Sequence, residues 1–397
     1  MSQQAFAGNR GEGVRSDCFV ELEISSKGGI QIALESKVER MFGNQIKELA
    51  VNVLEELGVK HARVHLEDSG ALPFVIAARL EAAVKAANPT DRSFLPEMLH
   101  TENRESDRSR YRFSRLYLPG NTPRLMLNAG LHGADGIILD LEDSVAPDKK
   151  AEARILVRNA LRQVDFFQAE RMVRINQLPA GMDDLAEIVP HRVDLILIPK
   201  CEHGSEVVQV AERAESILAA AGQQRAIFLM PIIETALGIE NAYQIATASG
   251  SVVAMAIGLE DYTADLGVKR TEPGEESWYA RTRLVNACKA AGIQPIDSVF
   301  SDIENMEALL DNARRSRAIG FEGMGCIHPR QVRVIHEGFK PDPEEIEKAR
   351  RIVEAFREAK EKGLVVTTLG SKMIDPPVVR RAEQTLEKAA RFNLTGS

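Results

Sequence analysis

The chain has 397 residues, 44% of them apolar, which is enough for a large buried core and more than one domain. A formal net charge of −8 argues against the basic surface that nucleic-acid and membrane-surface proteins need, so neither partner is expected. The apolar runs are of strand length, the amino terminus lacks the layout of a secretory signal, and four scattered cysteines form no CxxC pair, which together predict a cytoplasmic protein.

Residues 1–88 show the pattern of a small α+β domain, near the lower size limit for independent folding. Two alternating segments, Val20–Ile24 and Gly29–Leu34, flank a polar turn and predict a hairpin. A helix, a third strand and a second helix are predicted at Val38–Leu57, Ala62–Leu66 and Pro73–Ala87. Residues 89–112 are charged, polar and poor in β-branched side chains, which predicts a linker.

Residues 113–340 alternate strictly between apolar strand patterns and helical patterns. Eight such pairs over this length predict a (β/α)₈ TIM barrel, an α/β fold. A doubly wound sheet is the alternative, but no Gly-x-Gly-x-x-Gly turn follows any strand. The predicted strands are Leu116–Leu118, Gly136–Leu141, Met172–Ile175, Leu195–Ile198, Ile227–Ile233, Val252–Leu259, Gln294–Val299 and Phe321–Ile327.

Residues 341–397 follow the predicted barrel and contain two further helical patterns. A strongly charged helix is expected over Pro343–Lys362, a loop over Gly370–Pro377 and a last helix over Val378–Phe392. This helical extension is expected to act as a lid or as a subunit contact.

Carboxylates follow two long apolar strands of the predicted barrel. Ile227–Ile233 leads directly into Glu234, and Val252–Leu259 leads into Glu260 and Asp261. Barrel enzymes place their chemistry at the carboxyl ends of the strands, so Glu234 and Asp261 are predicted to converge and hold Mg²⁺, which prefers such hard oxygen ligands. The alternative is that both are acids at the starts of helices, where the helix dipole favours them.

Other charged residues also follow predicted strands, among them Glu142, Arg174 and Lys200. Arg174 is suited to bind a carboxylate or a developing enolate, and a structural ion pair with a neighbouring acid is its alternative. Lys200 would need an apolar pocket to act as a Schiff-base lysine, and the adjacent Cys201–His203 gives no sign of one. Charged residues also follow apolar strands simply where a chain returns to water.

Several motifs in the predicted barrel resemble the citrate lyase beta-chain family. Their order and spacing agree with that family from about residue 110 to residue 340, and Met373–Asp375 resembles its C-terminal lid motif. The matching stretches are Arg115–Gly120 (RLYLPG), Leu139–Val145 (LDLEDSV), Val173–Asn176 (VRIN), Pro231–Gly238 (PIIETALG), Gly258–Gly267 (GLEDYTADLG) and Gly320–Pro329 (GFEGMGCIHP).

The resemblance implies a Mg²⁺-dependent carbon–carbon lyase that acts on 3-hydroxyacyl thioesters. By position, Glu234 and Asp261 would be the Mg²⁺ ligands and Arg174 the substrate-binding arginine, with Glu142 at the same substrate site. Arg115 would lie at the entrance for the thioester carrier. Asp375 would be the acid/base residue that reaches a neighbouring subunit's site, which implies a homo-oligomer, a trimer or hexamer.

The first unit is similar to the gamma chain of citrate lyase, an acyl carrier protein, over Ala7–Asp17, Ile32–Phe42 and Asp68–Leu80. In that family a serine carries a phosphoribosyl-dephospho-CoA arm within a Ser-Gly-Asp motif. Ser16, which precedes Asp17, is the matching position, although the glycine is missing and the approach from Gly8 is longer. An ordinary polar residue at a turn is the alternative for Ser16.

Three hypotheses follow from these resemblances. The first is a lyase that cleaves a citryl thioester on its own arm to an acetyl thioester and oxaloacetate, loaded by a separate alpha-type transferase chain. The second is a lyase or condensing enzyme for free malyl-CoA, citramalyl-CoA or a related CoA thioester. The third is a carrier and scaffold subunit without catalysis. Modification of Ser16 separates the first two, and alanine substitution at Glu234 and Asp261 tests the third.

Overall fold

The computed structural model describes residues 3–99, 106–361, 363, 366–369 and 372–392. None of the helices in these ranges is long and apolar enough to cross a membrane. The fold is the predicted α/β barrel, preceded by a small α+β domain and followed by two long helices.

The amino-terminal domain is a four-stranded sheet covered by two helices. The sheet order is β1-β2-β4-β3, so β2 and β3 are separated by β4 and the predicted hairpin is wrong. The chain crosses over through α1 before β4 returns parallel to β3 and antiparallel to β2, and every second residue of β4 is then buried. The elements are β1 Gln3–Gly8, β2 Cys18–Ile24, β3 Ile30–Ser36, α1 Glu39–Glu56, β4 Ala62–Asp68 and α2 Pro73–Ala87.

Eight parallel strands form the barrel, in the spatial order β11-β10-β9-β8-β7-β6-β5-β12. All eight predicted strands are confirmed, and an isolated bridge between Asp297 and Met324 connects the two end strands. The strands are β5 Ser114–Pro119, β6 Gly136–Asp140, β7 Glu170–Arg174, β8 Leu195–Ile198, β9 Phe228–Ile233, β10 Ala254–Ile257, β11 Gln294–Ile296 and β12 Met324–Cys326.

Helices follow the barrel strands, with two departures from the sequence pattern. The helical pattern after β9 forms two short helices divided at Asn241, and a short helix begins at Leu259, the last residue of a predicted strand. The helices are α3 Pro123–Met126, α4 Lys150–Gln163, α5 Gly181–Ile188, α6 Gly204–Ala220, α7 Ala236–Glu240, α8 Ala242–Ala246, α9 Leu259–Asp265, α10 Trp278–Ala291, α11 Met306–Ile319 and α12 Pro329–Phe339.

The amino-terminal domain is fixed to the barrel by buried charges. Arg79 of α2 forms a two-bond ion pair with Asp17, at 3.0 and 2.9 Å, and donates a further bond to the carbonyl of Asn121 in the loop after β5. Arg158 of α4 donates two hydrogen bonds, of 2.9 and 2.7 Å, to the carboxylate of Glu81 in α2, and both side chains are fully buried. The loop of residues 9–17 therefore lies against the carboxyl-end rim of the barrel.

The C-terminal extension consists of α13 Pro343–Glu361, a two-stranded hairpin of β13 Thr367–Leu369 and β14 Lys372–Ile374, and α14 Pro376–Arg391. The predicted loop at 370–377 therefore contains a strand, while Gly370 and Ser371 lie outside the described residues. The end of α14 packs beneath the barrel, where the ring of Phe392 lies 4.8 Å from that of Phe113. The domain divisions 1–88, 89–112, 113–340 and 341–397 stay predictions.

Candidate active site

A cavity of about 470 Å³ opens at the carboxyl ends of the barrel strands. A larger cavity of about 700 Å³ lies beside it, but its lining includes neither Glu234 nor Asp261. The smaller cavity therefore contains the two predicted metal ligands. The ionisable side chains that line it are Arg115, Tyr117, Asp140, Asp143, Arg174, Glu234, Glu260, Asp261 and Asp297.

Glu234 follows β9 directly and is buried, with 2% of its surface exposed. Gly258 makes room for it, since a Cβ at Gly258 would lie 2.7 Å from the Cγ of Glu234. Burial, and then the nearby carboxylates of Asp261 and Glu142, raise the pKa of Glu234 to about 8. The positive charge of Arg174 opposes this rise without cancelling it.

Asp261 lies in the first turn of α9 and lines the same cavity as Glu234, whose pKa its carboxylate helps to raise. The Nζ atom of Lys200 lies 3.4 Å from Oδ1 of Asp261 and 3.8 Å from Oε1 of Glu142. Lys200 follows β8 with a positive φ of 47°, a conformation that is unfavourable for a side chain and is often found at functional sites. Asp261 is thus both the predicted metal ligand and a helix-start acid, whereas Glu234 is not within a helix.

Glu234 and Asp261 fit the donor set of Mg²⁺, which commonly takes one or two carboxylates together with water and substrate oxygens. The repulsion that raises the pKa of Glu234 is the interaction that a divalent cation would offset. Among the described residues, no group of three or more His, Cys, Asp or Glu side chains is arranged to hold a metal. A two-carboxylate site open to substrate is therefore the arrangement that these residues can provide.

Arg174, at the end of β7, uses most of its guanidinium within the chain. It binds Asp140 through two bonds of 2.6 and 2.8 Å, and its Nη1 lies 2.8 Å from Oε2 of Glu142. It also lies over the ring of Tyr117, at 5.4 Å. The ion pair lowers the pKa of Asp140 and raises that of Arg174, although burial opposes both shifts. Arg174 therefore forms a structural ion pair with neighbouring acids and also lines the cavity.

Glu142 lies beneath this cluster, with 2% of its surface exposed. Gln177 donates a 3.0 Å bond to it, and burial raises its pKa despite the contact with Arg174. Glu142 is not among the residues that line the cavity, so it supports Arg174 and Lys200 from behind.

The remaining predicted site residues lie apart from this cluster. Arg115 is 1% exposed and faces the interior of the barrel, where its Nη1 lies 2.9 Å from the sulfur of Met230. Ser16 is half-buried in the amino-terminal domain, with a positive φ of 56°. Asp375 caps α14 by accepting a 3.1 Å bond from the backbone of Val378, and it does not line its own chain's cavity.

Sequence reasoning missed the position of Lys200 between two acids and the direction of Arg115. A signal for Lys200 was present, because a charged residue at a strand end had been noted and only its Schiff-base chemistry was weighed. No local signal was available for Arg115, since both faces of a barrel strand are buried and either could be the interior face.

Family models match both parts of the chain. The model for HpcH/HpaI aldolase/citrate lyase matches residues 114–329, and that for the malonate decarboxylase delta subunit (MdcD) matches residues 2–87.

Individual relatives agree with the first of these matches. Citrate lyase subunit beta of Haemophilus influenzae is 37% identical over 281 residues, which are 70% of this chain and 97% of that protein. The mitochondrial citramalyl-CoA lyase of Homo sapiens is 32% identical over 286 residues, 69% of this chain and 84% of that protein. The CitE protein of Mycobacterium tuberculosis, solved with magnesium, acetoacetate and coenzyme A, superposes with a TM-score of 0.60 at 30% identity, covering 71% of this chain and 99% of that one.

Proposed function

The chain belongs to the HpcH/HpaI aldolase/citrate lyase family, and from that premise we propose that it is a Mg²⁺-dependent lyase that cleaves a citryl thioester to oxaloacetate and an acetyl thioester. The observation that carries the proposal is that two carboxylates, Glu234 and Asp261, line one cavity together with two arginines.

The reaction breaks one carbon–carbon bond and moves one proton. The hydroxyl of the citryl group loses its proton and becomes the keto group of oxaloacetate, while the bond to the thioester's α-carbon breaks. The electron pair of that bond passes to the α-carbon as an enolate, which takes up a proton to give the acetyl thioester. The site must therefore stabilise negative charge on oxygen and provide an acid and a base.

The residues of the cavity suit these demands. Glu234 and Asp261 would hold Mg²⁺, which supplies Lewis-acid stabilisation of the substrate's hydroxyl and carboxylate oxygens. Arg174 keeps its positive charge beside this pair and is fixed in place by Asp140, so its charge is preorganised for a developing enolate. Lys200 adds a second cation at the same rim.

The acid/base residue is proposed to come from a second copy of the chain. Asp375 stands at the start of α14, whose far end packs beneath its own barrel, and Asp375 does not line its own cavity. Met373 beside it is 62% exposed. A homo-oligomer, a trimer or hexamer, in which the hairpin of one chain covers the cavity of the next would complete the site.

The carrier of the thioester is either an arm on Ser16 or free CoA. The loop that leads to Ser16 meets the barrel at Asn9, whose amide donates a 3.4 Å bond to the carbonyl of Asn121, so an arm on this loop would begin near the rim. In a Ser-Gly-Asp motif, however, glycine directly precedes the aspartate, and Ser16 has the positive φ of 56° that glycine favours. Ser16 thus occupies the place of the glycine and Arg15 that of the serine, which favours free CoA.

Intact mass measurement with peptide mapping across Ser16, on protein from its native host, decides between the two carriers. We expect an unmodified chain, and an added mass that matches the arm would restore Ser16 as the attachment site. Only in that case would an alpha-type transferase partner be needed to load the arm.

The activity itself is tested with citryl-CoA, by detecting oxaloacetate through its reduction by malate dehydrogenase and NADH. We expect cleavage that requires Mg²⁺ and falls at least about a hundredfold in Glu234→Gln, because the amide no longer provides an anionic ligand. Lys289→Gln, an exposed change at an ion pair with Glu322 far from the cavity, is the matched control. Cleavage that survives Glu234→Gln would refute the metal assignment.

The second candidate is a lyase for free malyl-CoA or citramalyl-CoA, which is supported by the similarity to the human citramalyl-CoA lyase. The same assay with those thioesters, with detection of glyoxylate or pyruvate, distinguishes it. A cytoplasmic location remains part of the proposal, and all four cysteines are buried and free, as a reducing compartment would allow.

A further inference from the structure

Arg115 is a buried cation without an ionic partner. The other three fully buried arginines, Arg79, Arg112 and Arg158, each lie within 3 Å of a buried carboxylate, at 2.9, 2.7 and 2.7 Å. Among the described residues, Arg115 forms no ion pair, and its Nε is buried with no hydrogen-bond partner. Its Nη1 donates a 2.9 Å bond to the thioether of Met230, a weak acceptor.

Such an arrangement is costly unless something else compensates for it. A buried charge is normally paired, and each unsatisfied polar group inside a protein requires an explanation. Burial lowers the pKa of Arg115 to about 10, which still leaves the guanidinium charged at neutral pH. The barrel thus keeps an unpaired positive charge in its interior.

Arg115 belongs to the wall of the cavity at the strand ends. Arg115, Tyr117, Ala256 and Gly325 line the same cavity as Glu234. Gly325 lies opposite Arg115 in the neighbouring strand, and a Cβ there would lie 3.8 Å from its Nη2. Because Arg115 is the second residue of β5, it lies deeper than the strand ends that bear Glu234 and Arg174. Arg115 thus forms part of the cavity wall at a level below the rim.

We propose that Arg115 binds the second carboxylate of a dicarboxylic keto acid, the one remote from the reacting carbon. The inference rests on the proposed function: Glu234 and Asp261 occupy the rim, and the two-bond face of Arg174 is taken by Asp140. A substrate whose keto and adjacent carboxylate oxygens are held at the rim would direct a second carboxylate towards the floor. Arg115 supplies the donors there, in place of a role at the thioester entrance.

This role would select the substrate class. Cleavage of a citryl thioester yields oxaloacetate, which has two carboxylates, whereas citramalyl and malyl thioesters yield pyruvate and glyoxylate, which have one each. A buried guanidinium that remains unpaired without the second carboxylate disfavours the smaller acids. The preference for citryl over citramalyl and malyl substrates would therefore come from Arg115.

Binding calorimetry in the presence of Mg²⁺, with freshly dissolved oxaloacetate and with pyruvate as probes, tests the proposal without any turnover. We expect the native chain to bind oxaloacetate at least about tenfold tighter than pyruvate, because a charge-assisted pair in a buried site contributes at least that much. Arg115→Met should reduce the affinity for oxaloacetate to that for pyruvate and leave the affinity for pyruvate unchanged. Arg115→Lys, which keeps the charge but not the fork, should retain part of the preference.

The alternatives give distinct results. Equal loss of affinity for both probes in Arg115→Met would overturn the proposal, as would an unchanged preference for oxaloacetate. Since Arg115 has no ionic partner to lose, Arg115→Met should unfold at a temperature no lower than the native chain, and marked destabilisation would indicate a structural role instead. If the methionine variant fails to fold, Arg115→Gln serves for the same comparison. A failure of citryl-CoA cleavage would refute the proposed reaction but would leave the binding result unaffected.

Discussion

If Asp261 holds Mg²⁺ as proposed, Lys200 competes with the metal ion for it, and removal of Lys200 should tighten the binding of Mg²⁺. Its Nζ lies 3.4 Å from Asp261 and 3.8 Å from Glu142, in the same cluster that contains Glu234. In the metal-free protein the ammonium group is the cation that these carboxylates share. Substitution by glutamine keeps a polar, slightly shorter side chain and removes the charge.

The size of the effect follows from the distances and the exposure. Two unit charges about 4 Å apart interact by about 4 kcal/mol at an effective dielectric constant of about 20. The side chains of Lys200 and Asp261 are 29% and 44% exposed, so solvent screening reduces this value considerably. We expect about 1 to 2 kcal/mol in favour of Mg²⁺, or a Kd about fivefold to thirtyfold lower in Lys200→Gln.

Calorimetric titration of Mg²⁺ into the native chain, Lys200→Gln and Lys289→Gln measures this directly. Lys289 is an exposed lysine paired with Glu322, and its loss should leave the Kd unchanged. Without metal, Lys200→Gln should unfold at a lower temperature than the native chain, and Mg²⁺ should raise that temperature by more than it does in the native chain. An unchanged or higher Kd for Mg²⁺ in Lys200→Gln would show that Lys200 does not compete at this site.

Three further predictions test the neighbourhood of the site and the framework that holds it. Gly258→Ala should weaken Mg²⁺ binding at least about tenfold in calorimetry, because the new Cβ would lie 2.7 Å from Cγ of Glu234 and displace that side chain. An unchanged Kd would contradict this packing argument. Arg158→Met should lower the free energy of unfolding in urea by about 2 to 3 kcal/mol, since Glu81 loses two buried charge-assisted bonds and keeps Lys85, 2.9 Å away, as its ion-pair partner. The exposed Arg63→Met should change it by less than about 1 kcal/mol, and equal losses would refute the argument. Burial, and then nearby arginines, lower the pKa of His191 to about 3. The stability that this neutral side chain contributes is therefore present above about pH 6.5 and is lost as the pH falls. His191→Gln should make the free energy of unfolding in urea less sensitive to pH between about 6.5 and 4, and an identical dependence on pH would count against this argument.

The barrel could be predicted because its strands differ sharply from their surroundings. Leu195–Ile198 is predicted with the bounds that the structure has, since a short apolar run between helical patterns is typical of a parallel strand buried on both faces. The prediction of an amino-terminal hairpin was wrong because it relied on a local pattern alone. A turn between β2 and β3 does not reveal that β4, which comes later in the chain, inserts between them. Pairing between distant segments is decided by packing and not by the local turn.

The candidate site was predictable to the extent that it depends on strand ends. Glu234 directly follows β9, and the carboxyl ends of barrel strands converge, so its place in the cavity follows from the sequence. A helix start at Asp261 entered only as an alternative, because the apolar run Val252–Leu259 has the pattern of a strand that extends to Leu259. The sequence also does not show how far the fork of Arg174 is occupied by Asp140, since that depends on the register of β6 against β7.

The two arginines of the cavity illustrate why the number of charges is less informative than their pairing. Both lie on barrel strands and both line the cavity. Arg174 is held by Asp140 and Glu142, with Asp143 3.8 Å away, whereas no carboxylate in the described part of the chain pairs with Arg115. A guanidinium already paired within the protein contributes mainly by its fixed position and field, because an incoming carboxylate must share or displace its partners. An unpaired one contributes its full set of donors to a ligand. Recognition of the substrate is therefore expected to depend more on Arg115, and stabilisation of the charge that develops at the rim more on Arg174.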